Sequence, residues 1–340
     1  VSITVATDTL GKAPASFEDA RQKGKDIFGE LEIVLGDANA LKRQLRTVDA
    51  DQKSVLEQQY EGLSAQVAER SKSALQNFDL ALNLADDSTI RADINNVRYL
   101  QCYCYFAMER YIEAALIGEF LLSKYPNVDG TRQAMTLMIQ SYSIMLDRAN
   151  DDDKEFERDR LTKACDAVLK RWPGSKEAGS AASTMTRLSL NRKQFDLAKG
   201  YFEQIPSDAA YRNLIGIRLG QRLWFDYKSK LQADAADREA LATLLNDSVK
   251  YLADGVNNSS IEQLNYDTAL AALLLVDARI KAGQVDEAIA RLETAAIAPL
   301  DLLKQQHPAI TNTPMAGTYR RETYKTAIKA YLAVMEGSSE

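Results

Sequence analysis

Apolar residues recur along this chain mainly with the spacing of amphipathic helices. Ser16 is a suitable N-cap, and the apolar positions of residues 17–34 follow a helical period. Because glycine is typical of helix ends, the pattern predicts a first helix that stops near Gly36. A second helical pattern over residues 49–84 is too long for one average helix, and it predicts a break near Gly62.

The first residues of the chain have a different period. Val1, Ile3 and Val5 alternate with small or polar residues, which is the period of a β-strand. We expect residues 1–15 to form an N-terminal arm. This arm is either frayed, as termini commonly are, or extended along a groove or another segment.

A pair of amphipathic runs separated by a tight turn occupies residues 98–126 and ends at Pro126. The same arrangement recurs over residues 134–173, in a third copy that ends at Pro206, and over residues 273–295. Antiparallel helix pairs that recur at this length are typical of helical solenoids, in which each pair covers the exposed face of its neighbour.

These copies resemble the tetratricopeptide repeat, a helix–turn–helix unit of about 34 residues. The family places a small residue and then an aromatic in helix A, an aromatic and then Ala in helix B, and Pro after helix B. The first copy fills these positions with Cys102, Tyr105, Tyr111, Ala114 and Pro126. Later copies supply Phe195, Ala198 and Phe202, then Leu219, Gly220 and Leu223, and finally Val285, Ala288 and Leu292.

The resemblance implies an all-α fold, an antiparallel helix-pair solenoid coiled into a right-handed superhelix. We divide the chain into an arm (1–15), N-terminal helices with a degenerate repeat (16–90), repeats of the tetratricopeptide type (91–300), and a loop with a capping helix (301–340). Because a solenoid needs a terminal unit that water can cover, we expect the last helix, over residues 317–335, to have a polar outer face.

Composition excludes several classes of function. Apolar residues make up 46% of the 340-residue chain, which is sufficient for a sizeable core. A net charge of -6 argues against nucleic acid as the main partner, since phosphate binding needs clustered Lys and Arg. No long uncharged apolar run is present, so we expect no transmembrane segment in this chain.

Little in the sequence points to catalysis. His307 is the only histidine, and it precedes a proline in a predicted loop, which leaves no Ser-His-Asp set. Cys102 and Cys104 lack the partner ligands that zinc would need, so we interpret Cys102 as a buried core thiol. The acidic run at 151–153 lacks the Gly and the terminal Glu of a calcium loop. We expect no enzymatic activity, no cofactor and no metal.

The resemblance also implies a binding surface, because helix A residues line the concave face of such solenoids. The matching positions are Asn96, Tyr99, Tyr103, Phe106, Gln133, Thr136, Gln140, Ser143, Gln221, Trp224 and Phe225. Aromatic and amide side chains suit an extended peptide or an amphipathic helix. The alternative is that some of these aromatics pack between helices. The Lys, Arg and Asn set with which some members grip a C-terminal Asp is absent from the matching positions.

The sequence therefore predicts a non-catalytic scaffold that binds a protein or peptide partner on its concave face. Two alternatives stay open, which are a structural protein that self-associates, if only weakly, and a solenoid that holds a small ligand or glycan. The aromatic-proline pairs at 125–126 and 172–173 are similar to those of bacterial envelope repeat proteins, which slightly favours the bacterial envelope or periplasm over the cytoplasm.

Overall fold

The computed structural model describes residues 14–45, 48, 50–128, 130–233 and 237–337. These residues form fifteen α-helices and one 3-10 helix, with no strand among them. Helices pack mainly against their neighbours in sequence, so the prediction of an all-α fold is confirmed. Residues 1–13 of the predicted arm lie outside the described residues. Contacts divide the chain into two compact units, Val1–Arg171 and Trp172–Glu340.

Among the described residues of the first unit, six helices form. They are α1 (Phe17–Gln44), α2 (Ala50–Leu84), α3 (Arg91–Ala107), α4 (Tyr111–Lys124), α5 (Thr131–Arg148) and α6 (Lys154–Arg171). Each helix contacts the next, and α3 also contacts α5. The alternate helices α3 and α5 therefore lie side by side, as helices of successive pairs do.

The start of α1 is the one that the sequence predicts, but its end is not. The backbone N–H of Asp19 donates to Ser16 Oγ at 3.1 Å, which confirms the N-cap. The helix passes through Gly36 and continues to Gln44, because Ala38 is buried beyond the glycine and α1 packs extensively on α2. Likewise α2 runs unbroken through Gly62. Tertiary packing overrides the weak local preference of these two glycines.

The core of the first unit forms where α1, α2 and α3 meet. Phe28 and Leu31 of α1 are buried there with Phe78 of α2 and Leu100 of α3. Gly24 allows α1 to approach α2 closely, since a Cβ atom at this position would lie 2.5 Å from Phe78 Cε1. Apolar contacts thus hold the first three helices of this unit together.

The described part of the second unit contains nine α-helices. They are α7 (Lys176–Asn191), α8 (Phe195–Phe202), α9 (Arg212–Gln232), α10 (Arg238–Asn257), α11 (Tyr266–Lys281), α12 (Val285–Glu293), α13 (Pro299–Lys304), α14 (Pro308–Thr311) and α15 (Ala316–Gly337). The 3-10 helix, Ile261–Gln263, precedes α11. Alternate helices are again in contact, α7 with α9, α9 with α11 and α11 with α13, and α11 also contacts α15.

Three helix-to-helix turns share one backbone geometry. A residue with positive φ stands two positions before α4, α8 and α12, namely Glu109 (60°), Lys193 (57°) and Gly283 (74°). The backbone N–H of the following residue donates five residues back in each turn, from Arg110 to Tyr105, from Gln194 to Ser189 and from Gln284 to Arg279, all at 2.9 Å. This is a helix C-cap motif, in which a residue in the left-handed conformation turns the chain so that the next N–H group can donate to a carbonyl that the helix leaves unpaired.

The outer face of α15 differs from the polar face that the sequence analysis expects. Tyr319, Ala327 and Ala330 are buried on one side of the helix, which packs on α11 and α12. The opposite side exposes large apolar side chains at helical spacing: Tyr324, Ile328, Tyr331, Leu332 and Met335, each 43–66% exposed. A contiguous apolar strip of this kind is unusual for a surface that only water covers.

Candidate functional site

In the first unit, the predicted tyrosines of α3 pack into the core that α1, α2 and α3 form together. The Tyr103 ring meets the Phe28 ring edge-on, with their centroids 5.0 Å apart, and Tyr99 packs in the same cluster. Burial raises the pKa of both phenols, and the neighbouring Tyr103 adds to the effect at Tyr99. Part of each side chain therefore contacts the core.

The other predicted positions in this unit are divided between surface and interior. Gln133 and Gln140 are exposed on α5, with Thr136 and Ser143 partly buried beside them. Asn96 is partly buried. Phe106 is also partly buried and lies 5.5 Å from Tyr111, ring centroid to ring centroid. None of these predicted positions lines either of two cavities in this unit, of about 460 and 560 Å³.

In the second unit, Trp224 and Phe225 differ in exposure, although the sequence analysis places both on the concave face. Trp224 is 1% exposed and stacks on Tyr227 with ring centroids 5.4 Å apart, so it belongs to the core rather than to a partner-binding surface. Phe225 is 53% exposed. Gln221 is partly buried and lines a cavity beside α9.

That cavity lies between α7 and α9 and has a volume of about 290 Å³. Its floor is apolar, because Leu190 and Ile215 are both buried. Its walls are polar, and they consist of Arg187, Asn191, Arg218, Gln221 and Arg222. A polar rim above an apolar floor is a common arrangement in binding clefts.

A second cavity of about 340 Å³ continues the first, since the two share Leu190, Asn191 and Arg222. It adds the aromatic side chains of Phe195 and Phe225. Its other lining residues are Lys193, Asp226 and Ser229. We call the two cavities together the α7–α9 groove.

The α7–α9 groove is strongly cationic. Four of its side chains are basic (Arg187, Lys193, Arg218 and Arg222), and its single carboxylate, Asp226, lies 3.0 Å from Lys230 Nζ. Within the described residues, Arg218 and Arg222 have no carboxylate within ion-pair distance. A positive groove in a chain with a net charge of -6 is a local concentration of charge.

The sequence analysis found only Gln221 and Phe225 of this groove. It carried the family's positions onto the first, second and fourth copies, and it left the third copy, which contains α7, without candidates. The missed signal is the spacing of four residues from Arg187 to Asn191 and from Arg218 to Arg222, which places each pair on one helix face.

In two other large cavities, a basic side chain of the lining is already paired with a carboxylate. In the second unit, the cavity of about 620 Å³ is lined by Lys199, which pairs with Asp247 at 2.7 Å and Asp196 at 2.9 Å. In the first unit, the cavity of about 560 Å³ is lined by Arg148, paired with Glu109 at 2.9 Å. Such pairs stabilise the surface and leave less charge for a ligand.

Reactive groups in the described residues are held in inert settings. Burial raises the pKa of the Cys102 thiol to about 12, with a smaller contribution from Cys104, and burial raises that of Cys104 to about 12 as well. Both remain thiols at neutral pH, which suits the predicted core role of Cys102. His307 Nδ1 accepts a hydrogen bond from the Ala309 N–H at 3.2 Å, so the histidine caps α14.

The part of the chain that the structure describes contains neither a metal-ligating cluster nor a helix suited to span a membrane. No three His, Cys, Asp or Glu side chains converge there as ligands of a metal ion. None of the helices there combines the length and the apolar character that crossing a bilayer requires. No protein-family model matches this chain, and no curated protein matches its sequence.

Proposed function

We propose that this chain is a non-catalytic interaction scaffold, built as a solenoid of tetratricopeptide-type helix pairs, that binds a peptide or helix in the α7–α9 groove. The three identical turns and the contacts between alternate helices support a repeated unit. In such a solenoid the side where α7 and α9 meet would form part of the concave face.

The observation that carries the proposal is the groove itself. It is open to solvent, it offers amide and guanidinium groups along its walls, and it exposes the ring of Phe225. An exposed aromatic beside polar hydrogen-bonding groups is typical of a protein-binding surface. The groove consists of two joined cavities, of about 290 and 340 Å³, and an extended peptide can occupy both, which favours it over the alternative of a small ligand or glycan.

A peptide-display selection against the full chain tests the proposal. We expect enriched peptides to bind the native chain and to lose affinity by about tenfold or more with Phe225→Ala/Gln221→Ala, because truncated aromatic anchors typically cost this much. Phe156→Ala is the matched control, since Phe156 is also an exposed phenylalanine on a helix and lies outside the groove. Failure to enrich any peptide, or equal binding by the groove variant, would contradict the proposal.

A second candidate function, self-association, is supported by the apolar outer face of α15. If this face joins two copies, the mass of the native chain in sedimentation velocity rises with concentration, and Ile328→Glu abolishes the rise. Ile33→Glu is the control, because Ile33 is a similarly exposed isoleucine on α1. A mass that stays monomeric at all concentrations would rule this function out.

A further inference from the structure

We propose that the α7–α9 groove is specific for an acidic peptide segment, whose side-chain carboxylates bind Arg187, Arg218 and Arg222. This inference rests on the proposed function and adds the chemistry of the partner to it. It comes from the charge of the groove, which the peptide-binding proposal by itself does not require.

The three guanidinium groups face one small volume from two helices. Arg218 and Arg222 lie one helical turn apart on α9, Arg187 lies on α7, and all three line the same cavity of about 290 Å³. Arg218 and Arg222 repel each other across this cavity, so an anion between them relieves that repulsion. The apolar floor of Leu190 and Ile215 excludes water on one side, which strengthens the attraction.

Arginine specifies the kind of anion more closely than charge alone. A guanidinium group is planar and donates two parallel hydrogen bonds to a carboxylate, which gives a strong and directional contact. Asn191 and Gln221 stand in the same wall and can donate further hydrogen bonds through their amides. The lining therefore matches the oxygen atoms of Asp and Glu side chains.

The second cavity indicates that the ligand is a peptide rather than a free anion. It begins where the arginine cavity ends, at Arg222, and it leads to the rings of Phe195 and Phe225. A small anion would leave these rings uncovered. A segment with acidic residues followed by an apolar one would fill both cavities at once.

Nucleic acid is a poorer fit to the same charges. Only four basic side chains among the described residues line this groove, and the chain as a whole has a net charge of -6, which would repel a long phosphate backbone. A short acidic peptide contacts only the groove and avoids most of that repulsion.

Fluorescence anisotropy with a defined probe tests the inference. The probe is a short labelled peptide of Glu residues followed by one Leu, amidated at its C-terminus so that every carboxylate belongs to a side chain. We expect it to bind the full chain, and we expect a peptide with Gln in place of each Glu to bind at least about tenfold more weakly. Added salt weakens the binding of the Glu probe because it screens the charges.

The variants locate the binding. Arg218→Gln/Arg222→Gln should weaken the Glu probe by about tenfold or more, and Arg218→Lys/Arg222→Lys should give an intermediate loss because lysine keeps the charge without the paired donors. Arg238→Gln/Arg320→Gln is the matched control, with the same change of charge at two exposed arginines of this unit outside the groove. Thermal unfolding followed by circular dichroism checks that all variants fold.

Each outcome decides a different point. Equal binding of the Glu and Gln peptides, or an equal loss in the control variant, would overturn acidic specificity while leaving a peptide-binding groove intact. Competition by free glutamate at the concentration of the probe would show a site for small anions and would overturn the peptide assignment. If the display selection also finds no ligand, the proposed function itself fails.

Discussion

Tyr103 packs its ring edge-on against Phe28, at a centroid separation of 5.0 Å, and so joins α3 to α1. Because of this contact, a substitution at Tyr103 affects the stability of the first unit as well as any binding of a partner. We expect Tyr103→Ala to lower the free energy of unfolding by about 1–3 kcal/mol, because a half-buried aromatic loses both its apolar burial and its ring contact. Urea unfolding measures the change. Tyr103→Phe keeps the ring and should lie within about 0.5 kcal/mol of the native chain.

A loss of partner binding in Tyr103→Ala alone would thus be ambiguous, since the variant also weakens the first unit. The pair of variants resolves this. If Tyr103→Ala unfolds at the native urea concentration, the ring contact contributes nothing and Tyr103 becomes available as a partner-binding residue after all.

Two glycines of α1 should respond in opposite directions to the same substitution. We expect Gly24→Ala to destabilise the chain by about 1–3 kcal/mol, because its Cβ would collide with the ring of Phe78 and force the helices apart. Gly29 has open space around it, so Gly29→Ala should stabilise α1 by about 0.5–1 kcal/mol through backbone entropy. Urea unfolding of both variants provides the comparison, and a stabilising Gly24→Ala would mean that α1 and α2 are not in close contact there.

The sequence predicted local features well and contacts between distant residues poorly. Ser16 was identifiable as a cap because its hydrogen bond spans only three residues. Gly36 and Gly62 were misinterpreted as helix ends, since the packing of α1 on α2 decides the matter and no local pattern reveals it.

Register explains the error at Trp224. Adjacent helix residues point about 100° apart, so Trp224 faces the core while Phe225 faces the solvent. A family alignment that is accurate only to within one residue cannot tell which of the two is exposed. The arginines of the α7–α9 groove could not be grouped from the sequence either. Arg187 and Arg218 lie thirty-one positions apart, and only the contact between α7 and α9 places them around one cavity.

The repeated turn geometry predicts a difference between glycine and other residues at the left-handed position. Gly283 has φ of 74°, so Gly283→Ala should lower the free energy of unfolding by about 1–2 kcal/mol, the usual cost of left-handed backbone for a residue with a Cβ. Lys193 already pays that cost at φ of 57°, and Lys193→Gly should stabilise by about 0.5–1 kcal/mol. Thermal unfolding of both variants is the measurement. A neutral result at both positions would contradict the shared turn.

Two buried thiols should make the first unit sensitive to alkaline pH. The pKa of Cys102 and that of Cys104 are raised to about 12 by burial, from 9.0 in an unfolded chain. An unfolded chain therefore releases these protons at lower pH than the folded chain does. The stabilising effect is complete below pH 9 and is lost progressively as pH rises from about 9 towards 12, by about 1 kcal/mol per thiol at pH 10.

Urea midpoints of the native chain and of Cys102→Ala/Cys104→Ala, compared at pH 7 and pH 10, measure this loss. We expect the variant to be less stable at pH 7, because it leaves small cavities, but to lose less stability on going to pH 10. Equal losses in both chains would show that the alkaline sensitivity originates elsewhere.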